Sequence, residues 1–294
     1  MKNLFIAFLV ILLSYSSFGQ DKEFSPYLLL KQANTSIEQE ATIIKEALTA
    51  QNFKVTGEYN PAKSENLFVI TFTRADLEKI ALDFEDRGAL AATLKVGFKK
   101  EENTIKVSMT NPMYQFYAYF TDKIEKHEEA LLKIADEAIA ALKSGSIVPF
   151  GGNLTKEKLQ KYRYKIMMPY FKDAVELNTF LSFEEGLKTI QKNLSVENDK
   201  TVKIYELVYP EKEVAVFGVG LIGDEKGEPH FLPIIGEGHV CAMPYELILQ
   251  GNKATMLAGK YRIALHWPEL TMGTFMKIMS TPRDIADEMG GLTK

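Results

Sequence analysis

Side chains able to ligate a metal or act as a nucleophile gather in one stretch of the chain. Three of its four histidines (His230, His239 and His266) fall there, together with Met243 and the single cysteine, Cys241. The run His239-Val240-Cys241-Ala242-Met243 alternates, and in a strand it sets its three polar-capable side chains on one face. Imidazole, thiolate and thioether are groups that copper or zinc accepts, which makes His239, Cys241 and His266 the candidate metal ligands. Their spacing matches no standard zinc pattern. The same group offers Cys241 as a nucleophile with His239 or His266 as its base. That chemistry requires a thiolate favoured by a nearby histidine and a third group to orient the base. The spacing identifies no such third group, so no residue is given a catalytic role.

A second set could bind without catalysing: Tyr245, Arg262, Trp267, Met272, Phe275 and Met276. Met272, Phe275, Met276 and Met279 recur at helical spacing, which usually signals burial in a core. Methionine and aromatic side chains also line adaptable apolar pockets, and a small apolar ligand is the partner they would suit. Arg262 lies in the alternating run Tyr261 to His266. As a strand, that run would set Arg262 and His266 on one face, at a pocket rim or on a solvated sheet. Gly218, Gly220 and Gly223 fit G-x-G-x-x-G after a strand. The segment that follows, Asp224 to Pro229, has no apolar period and carries acidic residues that repel phosphate. These glycines are read as a strand end and turn, and no cofactor is assigned. Asp83, Glu85, Asp86, Glu125, Glu128 and Glu129 read as solvated helix faces.

The elements that must position these residues come in two similar sets. Ile37, Ala41, Ile44 and Leu48 draw one apolar stripe along a helix, and Phe183, Leu187, Ile190 and Leu194 repeat it at the same steps. Each helix precedes a strand-like run, Phe53 to Val55 and Val202 to Val208. A turn around Tyr59-Asn60-Pro61 or Tyr209-Pro210 comes next, then a second strand, Leu67 to Thr73 or Val214 to Leu221. Leu94 to Phe98, a charged turn and Thr104 to Met109 read as a hairpin. Its expected counterpart pairs Tyr245 to Leu249 with Tyr261 to His266. Past Asn111-Pro112 and Trp267-Pro268 a shared stripe follows, Met113, Phe116, Tyr117 and Phe120 against Met272, Phe275, Met276 and Met279.

The copies are not expected to be equal. The first has an extra helix, Arg74 to Asp86, and a long helix from Asp122 to Lys143. The second has a Gly/Pro-punctuated segment, Gly223 to Gly238, in place of the extra helix. Ser144 to Asn153 holds three glycines and a proline and reads as a linker. The expected organisation is a first unit over 24–143, a linker over 144–153 and a second, divergent unit over 154–294.

The first half resembles the DUF302 family in its order of helix, hairpin, second helix and the run Leu94 to Pro112. Members of that family carry a strand, a charged turn and a strand ending in an Asn-Pro step. The resemblance spans residues 35 to 120 and, in weaker form, 183 to 280, where Trp267-Pro268 replaces the Asn-Pro step. It implies a compact two-layer α+β fold with helices on one face of an antiparallel sheet. It implies no activity, since the family brings no established chemistry or catalytic residues with it.

Composition narrows the function classes further. A net charge of -4 gives no electrostatic case for nucleic acid. One cysteine allows no internal disulfide, so stability must come from packing. Met1 to Asn3 followed by the apolar run Leu4 to Leu13 and small residues near Ser17 and Gly19 has the layout of a signal peptide over 1–19. The apolar run is short of the ~20 residues that span a bilayer. No cysteine lies near the cleavage region to carry a lipid anchor. The expectation is an exported, soluble protein, periplasmic or secreted. It is neither a lipoprotein nor an integral membrane protein, and it binds a small apolar ligand or a partner without catalysis. The alternative is a metal-handling protein or enzyme using His239, Cys241 and His266.

Overall fold

The computed structural model describes residues 22 to 294, so the expected leader lies outside the described residues. The first half of the chain runs β1 (Glu23–Phe24), β2 (Tyr27–Ala33), α1 (Ile37–Ala50), β3 (Lys54–Tyr59), β4 (Leu67–Thr73), α2 (Ala75–Ala81), β5 (Leu94–Glu101), β6 (Thr104–Thr110), α3 (Pro112–Phe120) and α4 (Glu128–Leu142). β7 (Val148–Phe150), β8 (Leu154–Thr155) and α5 (Lys156–Gln160) lead into the second half. That half runs β9 (Val175–Thr179), α6 (Phe183–Ser195), β10 (Thr201–Tyr209), β11 (Val214–Leu221), α7 (Glu228–Ile235), β12 (Tyr245–Gln250), β13 (Lys253–Met256), α8 (Gly259–His266), α9 (Met272–Met276) and α10 (Thr281–Gly291).

The fold is α+β, with an antiparallel sheet in each half. The first sheet has the order β3-β4-β5-β6-β2-β7 and the second β10-β11-β12-β13-β9. Without β7 the two orders are the same, strand for strand. The helices that open the pattern also start alike. Ser36 caps α1 in a capping box with Gln39, and Ser182 caps α6 by accepting from the Glu185 amide. Even the irregularities repeat, since a bulge falls at Thr56 in β3 and at Ile204 in β10.

Several sequence expectations change. β2 and β9, the strand that opens each copy, carry no clear alternation and were not expected. Gly223 to Gly238 is not a loop but holds α7, so both copies have a helix after the second strand. Pro229 sits in its first turn, where a missing N–H costs nothing. The hairpin partner of β12 is β13, reached through Gly251 at φ +51°. Tyr261 to His266 forms α8 instead of a strand. All of its residues but Lys260 are buried, so the helix lacks a polar face to betray its period. α8, not the methionine stripe, is therefore the counterpart of α3. The stripe itself is helical only over Met272–Met276, and Met272 and Met276 are 54% and 56% exposed, so it is not core. Asp122 to Lys143 divides into a 3-10 turn, Thr121–His127, and α4. The expected linker carries β7, which pairs with β2 and extends the first sheet.

The halves pack with reciprocal contacts, as a two-fold relation between copies requires. The third residue of α3, Tyr114, donates its hydroxyl to the Leu265 carbonyl at 2.7 Å. The third residue of α8, Tyr261, donates to the equivalent carbonyl of Ala118 at 3.3 Å. The 3-10 turn Gly88–Ala91 of the first half lies on β11 and β12, and the 3-10 turn Glu237–Ala242 of the second lies on β4, β5 and β6. One buried apolar cluster runs from Leu28 and Phe72 into Val216, Ile248 and Leu265, joining both halves. Among the described residues no helix is long and apolar enough to cross a membrane.

Candidate functional site

The predicted site residues fall into two separate places. Tyr245, Arg262, His239, Cys241 and His266 surround the buried centre where the halves meet. Trp267, Met272 and Phe275 line an open groove on the second half.

At the centre, Lys95 and Glu246 are each the second residue of equivalent strands, β5 and β12, and they face one another as an ion pair. The Lys95 ammonium also donates to the Pro244 carbonyl at 3.1 Å. Arg262, 1% exposed, donates to the carbonyls of Ala242 and Pro244 and to Glu246 Oε2 at 3.3 Å. Its guanidinium lies 3.7 Å from the centre of the Tyr245 ring. In the first half Gln115 takes the place of Arg262 and donates to the Thr93 carbonyl at 3.4 Å. Arg262 is thus not at a pocket rim. Two buried cations share one carboxylate, and burial pushes the Lys95 ammonium down to about 8, with Glu246 opposing the shift.

The presumed metal ligands lie beside this cluster but are engaged elsewhere. Because Glu237–Ala242 is a 3-10 turn, His239, Cys241 and Met243 do not share a strand face. The Cys241 thiol lies 3.2 Å from both the hydroxyl and the carbonyl of Ser108. Burial raises its pKa to about 11, which keeps it protonated at neutral pH. His239 donates from Nδ1 to the His266 carbonyl at 2.9 Å and packs its ring 4.6 Å from Tyr27. His266 sits between two hydroxyls, Tyr27 at 3.3 Å from Nδ1 and Tyr119 at 3.5 Å from Nε2. Burial first, then the charges of Arg262 and Lys95, hold its imidazole well below the usual range, so it is neutral. Among the described residues no group of three or more His, Cys, Asp or Glu side chains is placed to hold a metal ion.

Sequence reasoning missed a second buried carboxylate. Glu228, at the start of α7, accepts from the Tyr59 hydroxyl at 2.9 Å, the Ala62 amide at 3.0 Å and the Leu221 amide at 3.1 Å. Two of those donors belong to the first half, so Glu228 clamps the halves together. Burial raises its carboxyl to about 7 against the pull of its donors. Lys95 and Glu246 each stand as a lone charge in an apolar run, whereas Glu228 is hidden among the acidic residues of Asp224 to Pro229. The signal that could have found the first two is that equivalent strand positions carry opposite charges.

The groove has a volume of about 230 Å³. Ile263, Ala264 and Trp267 form one wall, and Met272 and Phe275 another. Ile166 and Met168, from the segment joining the halves, close it, while Lys165 and Lys260 stand at its edge. The Trp267 indole is held in place by donating to the Gly236 carbonyl at 3.3 Å. Met276 does not line the groove and points to solvent. A wider and more polar cleft of about 480 Å³ opens at the end of α3, between Tyr119, Phe120 and Phe171.

The glycine motif is structural. A Cβ on Gly218 would strike the Tyr205 ring and one on Gly220 the rings and methyls of Tyr59 and Val202, so both glycines admit neighbouring side chains. α7 begins only at Glu228, five residues after Gly223, so no helix starts at the last glycine of the motif.

No family model matches the chain, and no curated protein matches it. Among solved structures it is similar to the crystal structure of an uncharacterised conserved DUF302 protein from Bacillus stearothermophilus. The identity is 14%, over 39% of this chain and 94% of that one, with a TM-score of 0.34. A likeness of that extent leaves the two-copy organisation to rest on the strand orders and reciprocal contacts within this chain.

Proposed function

We propose that the protein is a non-catalytic binding protein that holds a small, largely apolar ligand in the groove beside Trp267. One observation carries the reading: an open, methionine- and aromatic-lined groove with lysines only at its edge. Such a lining excludes water from an apolar body and leaves a rim suited to an anionic end. The raised thiol of Cys241 and the neutral, tyrosine-flanked His266 favour binding over acid–base or nucleophilic chemistry. In the same proposal residues 1–19 are removed on export and the protein works in the periplasm or outside the cell.

Trp267 is the only tryptophan, so its fluorescence reports on the groove alone. Titration with straight-chain carboxylates of increasing length should shift the emission saturably, and more tightly as methylenes are added, by up to about 0.8 kcal/mol per buried methylene. Met272→Asp should abolish the shift. An emission that stays unchanged through the series, or a stoichiometric metal found by elemental analysis of the natively purified protein, would replace this reading.

A further inference from the structure

The segment that joins the halves has a composition unlike the rest of the chain. In a protein of net charge -4, Lys161 to Lys172 contains Lys161, Arg163, Lys165 and Lys172 and no acidic residue. Interleaved with these are Tyr162, Tyr164, Tyr170 and Phe171, and the tip is Ile166-Met167-Met168. Ile166 is 86% exposed and Met167 91% exposed, while Lys161, Lys165 and Lys172 are exposed around them. Large apolar side chains held so far into water, next to one another and ringed by cations, are costly to a freely soluble surface and mark a contact.

The loop is built to present that tip. Arg163 donates from Nε to the Met168 carbonyl at 2.9 Å and from Nη1 to the Tyr170 hydroxyl at 3.2 Å, tying the loop across its base. Tyr162 donates to the Ala264 carbonyl at 2.7 Å, and the Phe171 ring packs, tilted, 5.2 Å from Tyr119. The base is therefore anchored in the core while Ile166 and Met167 at the tip stay exposed. Met167 turns the tip at φ +69°, a left-handed conformation that a side chain as long as methionine adopts at a cost. Met272, which lines the groove with Ile166, is 54% exposed, and Met276 and Met279 after it in the chain are also more than half exposed.

We propose that this loop tip, together with the exposed methionines from Met272 to Met279, docks the protein on an anionic lipid bilayer. The order of chemistries fits one partner. Isoleucine and methionine enter the boundary between headgroups and acyl chains, the tyrosines suit the headgroup level, and the lysines meet anionic headgroups. A polyanion such as RNA would use the cations but gain nothing from Ile166 and Met167, so the apolar tip selects the bilayer. Ile166 and Met272 also line the groove, but docking is read with no ligand added and needs none there.

Flotation of the full chain with vesicles separates these cases, and each variant is compared with the same chain so that every other segment cancels. The wild type should float with mixed phosphatidylglycerol and phosphatidylcholine vesicles, and far less with phosphatidylcholine alone or at raised salt. The I166D/M167D variant should partition at least about tenfold more weakly, through loss of two buried apolar side chains. A K161E/K165E/K172E variant should lose the preference for the anionic vesicles. All these side chains are exposed, so an unchanged melting curve confirms that each variant is folded. Failure of the wild type to float, or equal flotation of I166D/M167D, would overturn the proposal. So would binding to single-stranded RNA that depends on the lysines and not on Ile166 and Met167, which would assign the loop to a polyanion.

Discussion

Glu246 holds the buried centre together because, among the described residues, it is the one carboxylate paired with both Lys95 and Arg262. Glu246→Gln leaves two buried cations without a counter-charge and should destabilise the protein by about 3–5 kcal/mol, read from denaturant midpoints at a constant slope. Removing charge on both sides, with Lys95→Met beside Glu246→Gln, should recover part of that loss, since the remaining Arg262 keeps its carbonyl partners. A double variant no more stable than Glu246→Gln alone would show that the ammonium is not the charge left uncompensated. Glu228 gives a pH signature of opposite origin. Its carboxyl titrates near 7 when folded and near 4.5 when unfolded, so the folded state holds the extra proton between those values. Its contribution is fully present below pH 4.5 and is lost as pH rises through 7, a change of about 3 kcal/mol by linkage. Glu228→Gln should flatten that part of the stability profile whatever its effect on absolute stability. A variant retaining the full wild-type slope between pH 4.5 and 7 would place the titration elsewhere.

Strands β3 and β10 are the edges through which the two sheets meet, and the bulge in each brings Gly57 against the Ile204 carbonyl. A methyl group at position 57 has no space there, so Gly57→Ala should cost about 1–3 kcal/mol by forcing the sheets apart. A Cβ on Gly223 would meet nothing nearer than the Lys200 backbone at 3.7 Å, and Gly223→Ala should be close to neutral despite its place in the glycine motif. Comparable losses at the two sites, seen in thermal melts, would remove the crossing as the cause. These elements differ in how much of them the sequence discloses. Ile37 to Leu48 and Phe183 to Leu194 each bury a single stripe against a sheet, so their period is visible and the repeat with it. Lys95 and Glu246 pair across 151 positions, and nothing local to either strand announces the other. α8 is buried on almost every side and so reads as well for a strand as for a helix, which is why Arg262 and His266 were expected on a sheet. The groove was half legible: Trp267, Met272 and Phe275 were among the predicted lining, but Ile166 and Met168 reach it from a segment with no period at all.

The two copies behave as one molecule because neither buries its inward face alone. Tyr114 and Tyr261 each satisfy a hydroxyl only on the other copy's helix, and the cluster around Leu28, Phe72, Val216 and Ile248 is continuous across the join. Separating the halves would expose Lys95, Glu246, Glu228 and these hydroxyls at once, in addition to the apolar surface, so half-folded states are penalised by both terms. Unfolding should accordingly be a single cooperative transition, with calorimetric and van't Hoff enthalpies in agreement. Substitutions confined to one half, such as Gly57→Ala, should lower the same midpoint when followed by Trp267 fluorescence from the second half and by far-ultraviolet dichroism from both. Two resolved transitions, or a Trp267 midpoint that ignores Gly57→Ala, would mean that the reciprocal contacts join two independently stable domains. A single shared midpoint would locate the folding unit in the pair, with the loop from Lys161 to Lys172 and the Trp267 groove mounted on a body too rigid to let them move apart.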